Sequence, residues 1–511
     1  MNNSDLFTIR DMLFDGNQDP DHPAIVSPGC QPLTYRDLRL QIHNTVKTLG
    51  SMGFRRNDRI AVLAPAGPET AVSIISVMAG YTCLPLNPQN KAQEFENYFS
   101  KFKINALVVP KNSDTAARPV AASCHIPVID LTAVSGKAGR FTLNSGLPQQ
   151  PAEAVYGFPS DTATLILTSG TTSVPKIVPY SQKLFSEVTQ VSRDMAHMTA
   201  EDRSLHIVPY FHGLGLLGTL LTPLLAGGTV ICTRDFIPSD FIPLLKRCRP
   251  TYYWGVPALH TAILHELKKI PAGELKHNSL RFIGTVSAFM PDEIRHDLET
   301  LSGAPFHEVY GMTEAAFISL NVPYKRGSVG IPVIESINIT DENGEPLGPQ
   351  KTGEIVIRGK VVISGYEDAP EENKAAFRNG WFNTGDIGYI DEEGYLFITG
   401  RKKELINKGG EKISPGEIDA VLRSHPGVRD AMSFQVGDPV LGEDIAAMVV
   451  PVDPRISEEE LRRYLLDRLV QFKVPLRIWF VDEIPKNTAG KPMRHIGTER
   501  YGRSLQPHHP D

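Results

Sequence analysis

Cysteine is scarce in this 511-residue chain: five residues, Cys30, Cys83, Cys124, Cys232 and Cys248, with no CxxC pair among them. An odd number at such wide spacing argues against a disulfide framework and fits reduced thiols in a cytoplasmic protein. Positive charge is also in short supply. With 52 Lys and Arg against 58 Asp and Glu, the net charge is -6, which speaks against the basic face a nucleic-acid partner would need. The N-terminus, MNNSDLFTIRD, has neither a basic start nor an apolar core, so no secretory leader is expected. There are no internal repeats, and the 42 Gly and 40 Pro are scattered as turn punctuation. A single stretch, Gly213 to Thr233 (GLGLLGTLLTPLLAGGTVICT), is long and uncharged enough to cross a bilayer. Pro223 and the pair Gly227–Gly228 divide it into a helix, a turn and a strand, so no transmembrane segment is expected.

What is present is alternation. The chain is too long for one compact core, so two or more domains are expected. RIAVLAP reads as a strand, PETAVSIISVMAG as a helix, KAQEFENYFSKF as an amphipathic helix and NALVVP as a strand again. Such alternation predicts mostly parallel sheets covered by helices. From about Ser328 the pattern changes: ESINITDENGEPL and GEIVIRG alternate as small antiparallel sheets do, with DENG as a hairpin turn. A third region begins near Gly400, after the polar, joint-like GRKKELINKGG. In SPGEIDAVLRSH, Ser414, Pro415 and Glu417 form a capping-box signature, and Ser457 with Glu460 repeats it before Leu461, Tyr464, Leu465 and Leu469. With the strand-like AAMVVPV and RIWFVDEI, this region reads as a small α+β unit.

Four stretches carry chemistry. TSGTTSVPK, Thr168 to Lys176, follows the apolar run ATLIL. A strand ending in small hydroxylated residues leaves backbone N–H groups and hydroxyls to wrap an anion, and Lys176 can neutralise it. The GxxxxGK[ST] spacing of the common phosphate loop is absent, and alone such a turn is more often an ordinary loop. VYGMTE, Val309 to Glu314, offers an aromatic face, a glycine, a hydroxyl and a carboxylate. WFNTGD, Trp381 to Asp386, places a carboxylate after a tight turn. PKNTAGK, Pro485 to Lys491, leads through small residues to a second lysine. Alone, Glu314 and Asp386 read equally as solvated carboxylates and Lys491 as a surface lysine.

Together and in this order, the stretches resemble the adenylate-forming superfamily of acyl-CoA synthetases, luciferases and peptide-synthetase adenylation domains. The resemblance runs from LTYRDL at Leu33 to GKPMR at Arg494. It implies an α/β fold in two parts. Residues 1–400 would form a large N-terminal domain of helix-covered, mostly parallel sheets, with a β-rich subdomain at about 328–400. Residues 401–511 would form a small mobile α+β C-terminal domain. The implied activity is an ATP-dependent acid–thiol ligase, which makes an acyl-AMP with release of pyrophosphate and passes the acyl group to coenzyme A. ATP, Mg²⁺ and coenzyme A are the implied small molecules. A ligase that loads a carrier-protein thiol is the alternative, disfavoured because no carrier segment follows Asp511. A non-catalytic nucleotide-binding relative is disfavoured by the presence of Glu314, Asp386 and Lys491 together.

By this resemblance Thr168, Ser169, Gly170, Thr171, Thr172 and Lys176 hold the β- and γ-phosphates. Ser173 and Ile177 depart from the family's usual glycines, and Ile177 is expected to stiffen the loop. Ser287 and Ala288 lie along the adenine, Tyr310 stacks on it, and Glu308 accepts from its amine. Thr313 donates to the α-phosphate, Glu314 holds Mg²⁺, Asp386 binds the ribose hydroxyls, and Arg401 lies near the ribose and phosphate. Lys491 bridges carboxylate and α-phosphate as charge builds. Lys403 is the hinge about which the C-terminal domain turns, withdrawing Lys491 and presenting Gly409 and Gly410 to the thiol arm.

His212 stands where amino-acid-activating relatives have a carboxylate, which disfavours an amino-acid substrate; it matches a gate beside the acyl pocket. Trp254, Val256, Phe289, Met312 and Phe317 are the pocket candidates, bulky and apolar, and suggest an uncharged aromatic or medium aliphatic acid. KELINKGGEKISP and GSVGIPV look nearest to plant and fungal ligases of small acids such as oxalate. Oxalate itself is not expected, because Phe289 and Phe317 stand where polar groups would hold a second carboxylate.

Overall fold

A computed structural model describes residues 7–167, 176–271, 275, 278–286, 290–409, 411–438, 440–487 and 490–502. Two large sheets form its body. The seven-stranded sheet runs in the order Phe141–Asn144, Val128–Ala133, Ala106–Pro110, Arg59–Leu63, Thr82–Leu86, Thr162–Leu167 and Ile177–Ser181. Its inner strands are parallel and its two outermost pairs antiparallel. The second sheet has nine strands. Its parallel centre is Phe306–Met312, Phe282–Val286, Tyr252–Gly255, Arg203–His206, Thr229–Cys232 and Pro23–Val26. Central strands such as Ile60–Leu63 are buried on both faces, as continuous apolar runs between helical layers should be.

Helix Pro68–Gly80 is buried along its whole length, proline at its first position. An all-round apolar helix has no solvent face to offer, so it lies inside the body, where its residues join a single core spanning both large sheets and the β-rich third one.

The long apolar run folds as Gly213–Leu216, a π-helical turn Leu217–Leu221 and Thr222–Leu225, followed by the strand Thr229–Cys232. Pro223 does not interrupt the helix as the sequence suggests. Its ring clashes with the carbonyl four residues back, and the preceding turn widens so that the Thr222 N–H bonds five residues back to Leu217. The break falls at Gly227, whose φ of +85° suits glycine. Among the described residues no helix is long and apolar enough to cross a membrane.

The third sheet is antiparallel: Ser336–Thr340, Gly353–Arg358, Trp381–Ile390 with Phe377–Arg378 and Leu396–Arg401. DENG does form a turn, closed by the Gly344 N–H on the Asp341 carbonyl. It reverses the chain as a hairpin turn should: the Asp341 N–H donates to the Glu345 carbonyl at 3.0 Å, the Leu347 N–H to the Ile339 carbonyl at 2.8 Å, and Thr340 pairs antiparallel with Pro346. The longer partner of Ser336–Thr340 follows from Gly353.

Beyond Arg401 a five-stranded sheet carries its own cores on its two faces, one around Ile418, Leu422, Leu461 and Leu465, the other around Met432, Phe434 and Met448. Its helices start only partly as the sequence suggests. Ser457 accepts from the Glu460 N–H at 3.1 Å. Ser414 makes no cap bond and its hydroxyl is buried without a partner; Glu417 turns instead to Lys473 at 2.7 Å. Pro415 at the first helical position, with its preset φ, starts that helix without the cap.

Candidate active site

In an open parallel sheet, ligands bind beyond the carboxyl ends of the strands. Here Trp254 lies opposite Gly284, and Val286 opposite Val309, so Val256 and Tyr310 emerge along one edge. Ser287, Ala288 and Phe289, next in sequence after the strand Phe282–Val286, lie outside the described residues, as do Thr168, Ser169, Gly170, Thr171, Thr172, Ser173 and Gly410.

The strand Phe306–Met312 pairs with Ala315–Leu320, which leaves Thr313 and Glu314 as a two-residue turn at that edge. Gly311 has to be glycine: a Cβ would run into the Ala316 carbonyl. Tyr310 points toward the third sheet and donates its hydroxyl to Asp386 Oδ2 at 2.6 Å. Asp386 does not follow a tight turn but sits in a bulge of Trp381–Ile390. Between the pairs Glu354–Ile387 and Val356–Asn383 this strand carries the extra residues, and Gly385 adopts φ +73°. The bulge aims the carboxylate inward, only 2% exposed. Arg401, its partner across the ladder, closes on Oδ1 at 2.9 Å. Burial first, then the charge of Asp386, holds the Tyr310 phenol well above its ordinary pKa, so it remains a donor.

Glu314 is 8% exposed, and its Oε1 accepts from the Tyr366 hydroxyl at 2.7 Å. Lys176 Nζ lies 4.3 Å from the centre of the Tyr366 ring. Tyr180, in the strand that follows the hydroxyl-rich stretch, donates to the Thr313 carbonyl at 2.8 Å. Thus Lys176, Thr313 and Glu314 meet, linked by two tyrosines that sequence patterns do not single out. Neither carries a charge nor stands in the stretches that draw attention. The one hint at Tyr366 is the glycine before it.

Lys491 belongs to the C-terminal unit. Its turn is closed by reciprocal bonds: Asn487 N–H to the Lys491 carbonyl at 2.9 Å, and Lys491 N–H to Asn487 Oδ1 at 3.0 Å. Burial lowers the Lys491 pKa below the usual lysine range, with Arg401 adding to that. Asp386, Glu314 and Glu404 pull it back. The ammonium therefore stands in the field of the N-terminal carboxylates. Lys403 lies exposed in the short turn Lys402–Glu404. Lys402 pairs back to Glu354 of the third sheet at 2.6 Å, and Glu404 pairs forward to Arg494 at 2.9 Å. The chain changes allegiance at residue 403. Gly409, at φ +61°, turns between the strands Ile406–Lys408 and Glu411–Ile413.

Glu308 is held by Asn321, whose Nδ2 donates to Oε2 at 3.2 Å. Burial pushes its carboxyl up to about 7, with Asp292 adding and the Asn321 bond opposing. His212 precedes the helical turn Gly213–Leu216, and burial lowers its pKa, favouring the neutral ring. Of the pocket candidates, Val256 and Met312 are half-buried at the strand ends. Phe317 and Trp254 belong to the core, 3% and 2% exposed. The Trp254 indole lies flat on Gly284, where a Cβ would strike its six-membered ring, with its other edge near Gly218.

The model of the AMP-binding enzyme family matches residues 15–367, and that of its C-terminal domain matches residues 417–491. The chain belongs to the AMP-binding enzyme family. It is 37% identical to a Humulus lupulus protein named "Probable CoA ligase CCL9", over 94% of each chain. It is 36% identical to an oxalate–CoA ligase of Arabidopsis thaliana, over 94% of this chain and 96% of that one. Among solved structures it resembles ATP-bound MatB from Rhodopseudomonas palustris, with a TM-score of 0.86 and 27% identity over 98% of this chain and 100% of that one.

As a member of the AMP-binding enzyme family, the chain is an AMP-forming acid–thiol ligase working through an acyl-adenylate, with ATP, Mg²⁺ and coenzyme A. Its residues fit that metal. Among the described residues no cluster of three His, Cys, Asp or Glu forms a protein cage. A lone buried carboxylate such as Glu314 suits Mg²⁺, which takes few protein ligands and completes its shell with phosphate oxygens and water.

Proposed function

We propose that this AMP-binding enzyme activates a small carboxylic acid, uncharged beyond its reacting group, and transfers it to coenzyme A by alternating two faces of its C-terminal unit. What supports the reading is the pair of buried carboxylates, Asp386 fixed by Tyr310 and Arg401 and Glu314 by Tyr366, whose charges both act on Lys491. Tyr310 stacks on the adenine, Ser287 and Ala288 lie along it, and Glu308 accepts from its amine. Asp386, fixed by Tyr310 and Arg401, takes the ribose hydroxyls. Thr168, Ser169, Gly170, Thr171, Thr172 and Lys176 hold the β- and γ-phosphates, and Thr313 donates to the α-phosphate. Glu314 holds Mg²⁺, which neutralises phosphate charge when bound.

Lys491 is the chain's main contribution to the first step. The acid's carboxylate oxygen forms a bond to the α-phosphorus as the bond to pyrophosphate breaks. A half-buried ammonium touching both anions offsets their repulsion where charge develops. The same ammonium would obstruct the thiol, so the C-terminal unit turns about Lys403, between its two opposed ion pairs, and brings Gly409 and Gly410 to the acyl carbonyl. The acid site begins at His212 and is walled by Val256, Phe289 and Met312, with Phe317 and Trp254 behind. These side chains offer no cation for a second carboxylate. The free thiols fit a reducing, cytoplasmic location.

The test is exchange of labelled pyrophosphate into ATP across a panel of acids, followed by acyl transfer to free coenzyme A or to a holo-carrier protein. Exchange with at least one uncharged aromatic or medium aliphatic acid and transfer to coenzyme A are expected. No exchange with any acid would end the proposal, and transfer to the carrier alone would replace the acceptor.

A further inference from the structure

Tyr366 lies in ISGYEDAP, outside the four chemistry-bearing stretches of the sequence. Its hydroxyl donates to Glu314 at 2.7 Å and its ring lies 4.3 Å from the Lys176 ammonium. The backbone around it is stitched to the same two places. The Ile363 N–H donates to the Glu314 carbonyl at 3.0 Å, and the Glu367 N–H to the Ile177 carbonyl, one residue beyond Lys176, at 3.2 Å. Glu367 is tied in turn to Arg59 at 2.7 Å, on a central strand of the seven-stranded sheet. Tyr366 itself is 7% exposed, so it does not wander. Without a spacer, a phosphate-loop lysine and a carboxylate at the edge of another sheet would attract one another directly. With the ring between them, each is held by a different part of one side chain: the cation by the π face, the anion by the hydroxyl.

We infer that Tyr366 is a positioning residue that holds Lys176 and Glu314 apart and in register, so that one meets the triphosphate tail while the other meets its metal. The inference rests on the roles proposed for those two residues. Tyr366→Phe keeps the ring and removes the bond to Glu314. Tyr366→Leu removes both contacts. The measurement is calorimetric binding of ATP and of AMP at stepped Mg²⁺ concentrations, since AMP lacks the phosphates that Lys176 and the metal address.

For Tyr366→Phe, the Mg²⁺ concentration that half-saturates the gain in ATP affinity should rise roughly ten-fold, as when a partner of a metal-holding group is lost, with AMP affinity unchanged. Tyr366→Leu should in addition lower the ratio of ATP to AMP affinity by about two- to five-fold. If Tyr366→Phe keeps the wild-type Mg²⁺ dependence, or if it weakens AMP and ATP alike, Tyr366 is only a packing residue and the inference is wrong. The Tyr366→Phe measurement decides this even where Tyr366→Leu fails to fold. If the wild-type protein binds ATP with no response to Mg²⁺ and no preference over AMP, it is the roles of Lys176 and Glu314 that fall, and the inference with them.

Discussion

The Tyr310 hydroxyl and Asp386 Oδ2 are 2.6 Å apart, and the bond joins two sheets. With Arg401 at 2.9 Å on the other oxygen, the carboxylate is held from both sides. Tyr310→Phe keeps the aromatic face and removes one of those restraints. A hydrogen bond to a charged group contributes about 1.5–3 kcal/mol, so AMP affinity should fall roughly ten-fold, and further in Asp386→Ala. Titration calorimetry with AMP checks this. Wild-type affinity in Tyr310→Phe would mean that Arg401 alone orients the carboxylate.

Lys491 and Lys403 should fail in opposite half-reactions. Lys491→Ala removes the cation proposed to bridge carboxylate and α-phosphate and should slow adenylation by roughly 10²–10³, leaving transfer from supplied acyl-adenylate within a few-fold of normal. Lys403→Pro stiffens the point where the ion-pair allegiance changes, so adenylation should survive and thiol transfer should drop. Because burial and Arg401 depress the Lys491 pKa, the adenylation rate should also decline on the alkaline side, below the usual lysine range. Equal losses in both halves for either variant would defeat the two-face scheme.

Much of this could be read from the sequence because it lives in local pattern. The strand runs, the buried helix Pro68–Gly80 and the glycine of VYGMTE all follow from neighbours along the chain. What stayed hidden depends on tertiary contact. The bulge that aims Asp386 is a mismatch between two strands, visible only once they pair. Ser414 has the sequence of a cap, yet its hydroxyl is buried beside Gly400. Tyr366 and Asn321 act through partners 52 and 13 residues away, and no spacing rule reaches them. Trp254 reads as a pocket wall, and nothing in the sequence shows that its ring packs on Gly284, a position on the neighbouring strand.

Glu308 predicts a stability profile. Its folded-state pKa, raised to about 7 by burial, exceeds the unfolded value of about 4.3. The unfolded chain therefore loses this proton first, and stability is full below that value and falls as pH rises toward 7. Glu308→Gln removes the titration while retaining an acceptor. Its stability relative to wild type should rise by on the order of 1–3 kcal/mol between pH 4.5 and 7.5 and then level off. Urea unfolding at stepped pH measures it, and a flat difference would show that Glu308 ionises normally.

Trp254 predicts the depth of the acid site. The indole fills a slot between Gly218 and Gly284, two positions with no side chain to take its place. Cutting it back should therefore open the space between the sheet and the helix that begins after His212. Trp254→Ala should shift the preferred straight-chain acid toward longer chains, each newly buried methylene contributing about 0.8 kcal/mol, or roughly four-fold in kcat/KM. Truncation of a buried tryptophan costs about 3–5 kcal/mol of stability; Trp254→Leu is the milder companion and should shift the preference less. Both are read by thioester formation with acids of increasing length, beside a thermal melt. A folded Trp254→Leu or Trp254→Ala with the wild-type length profile would mean that the acid never reaches this side chain, and that the floor of the site lies nearer Val256 and Met312.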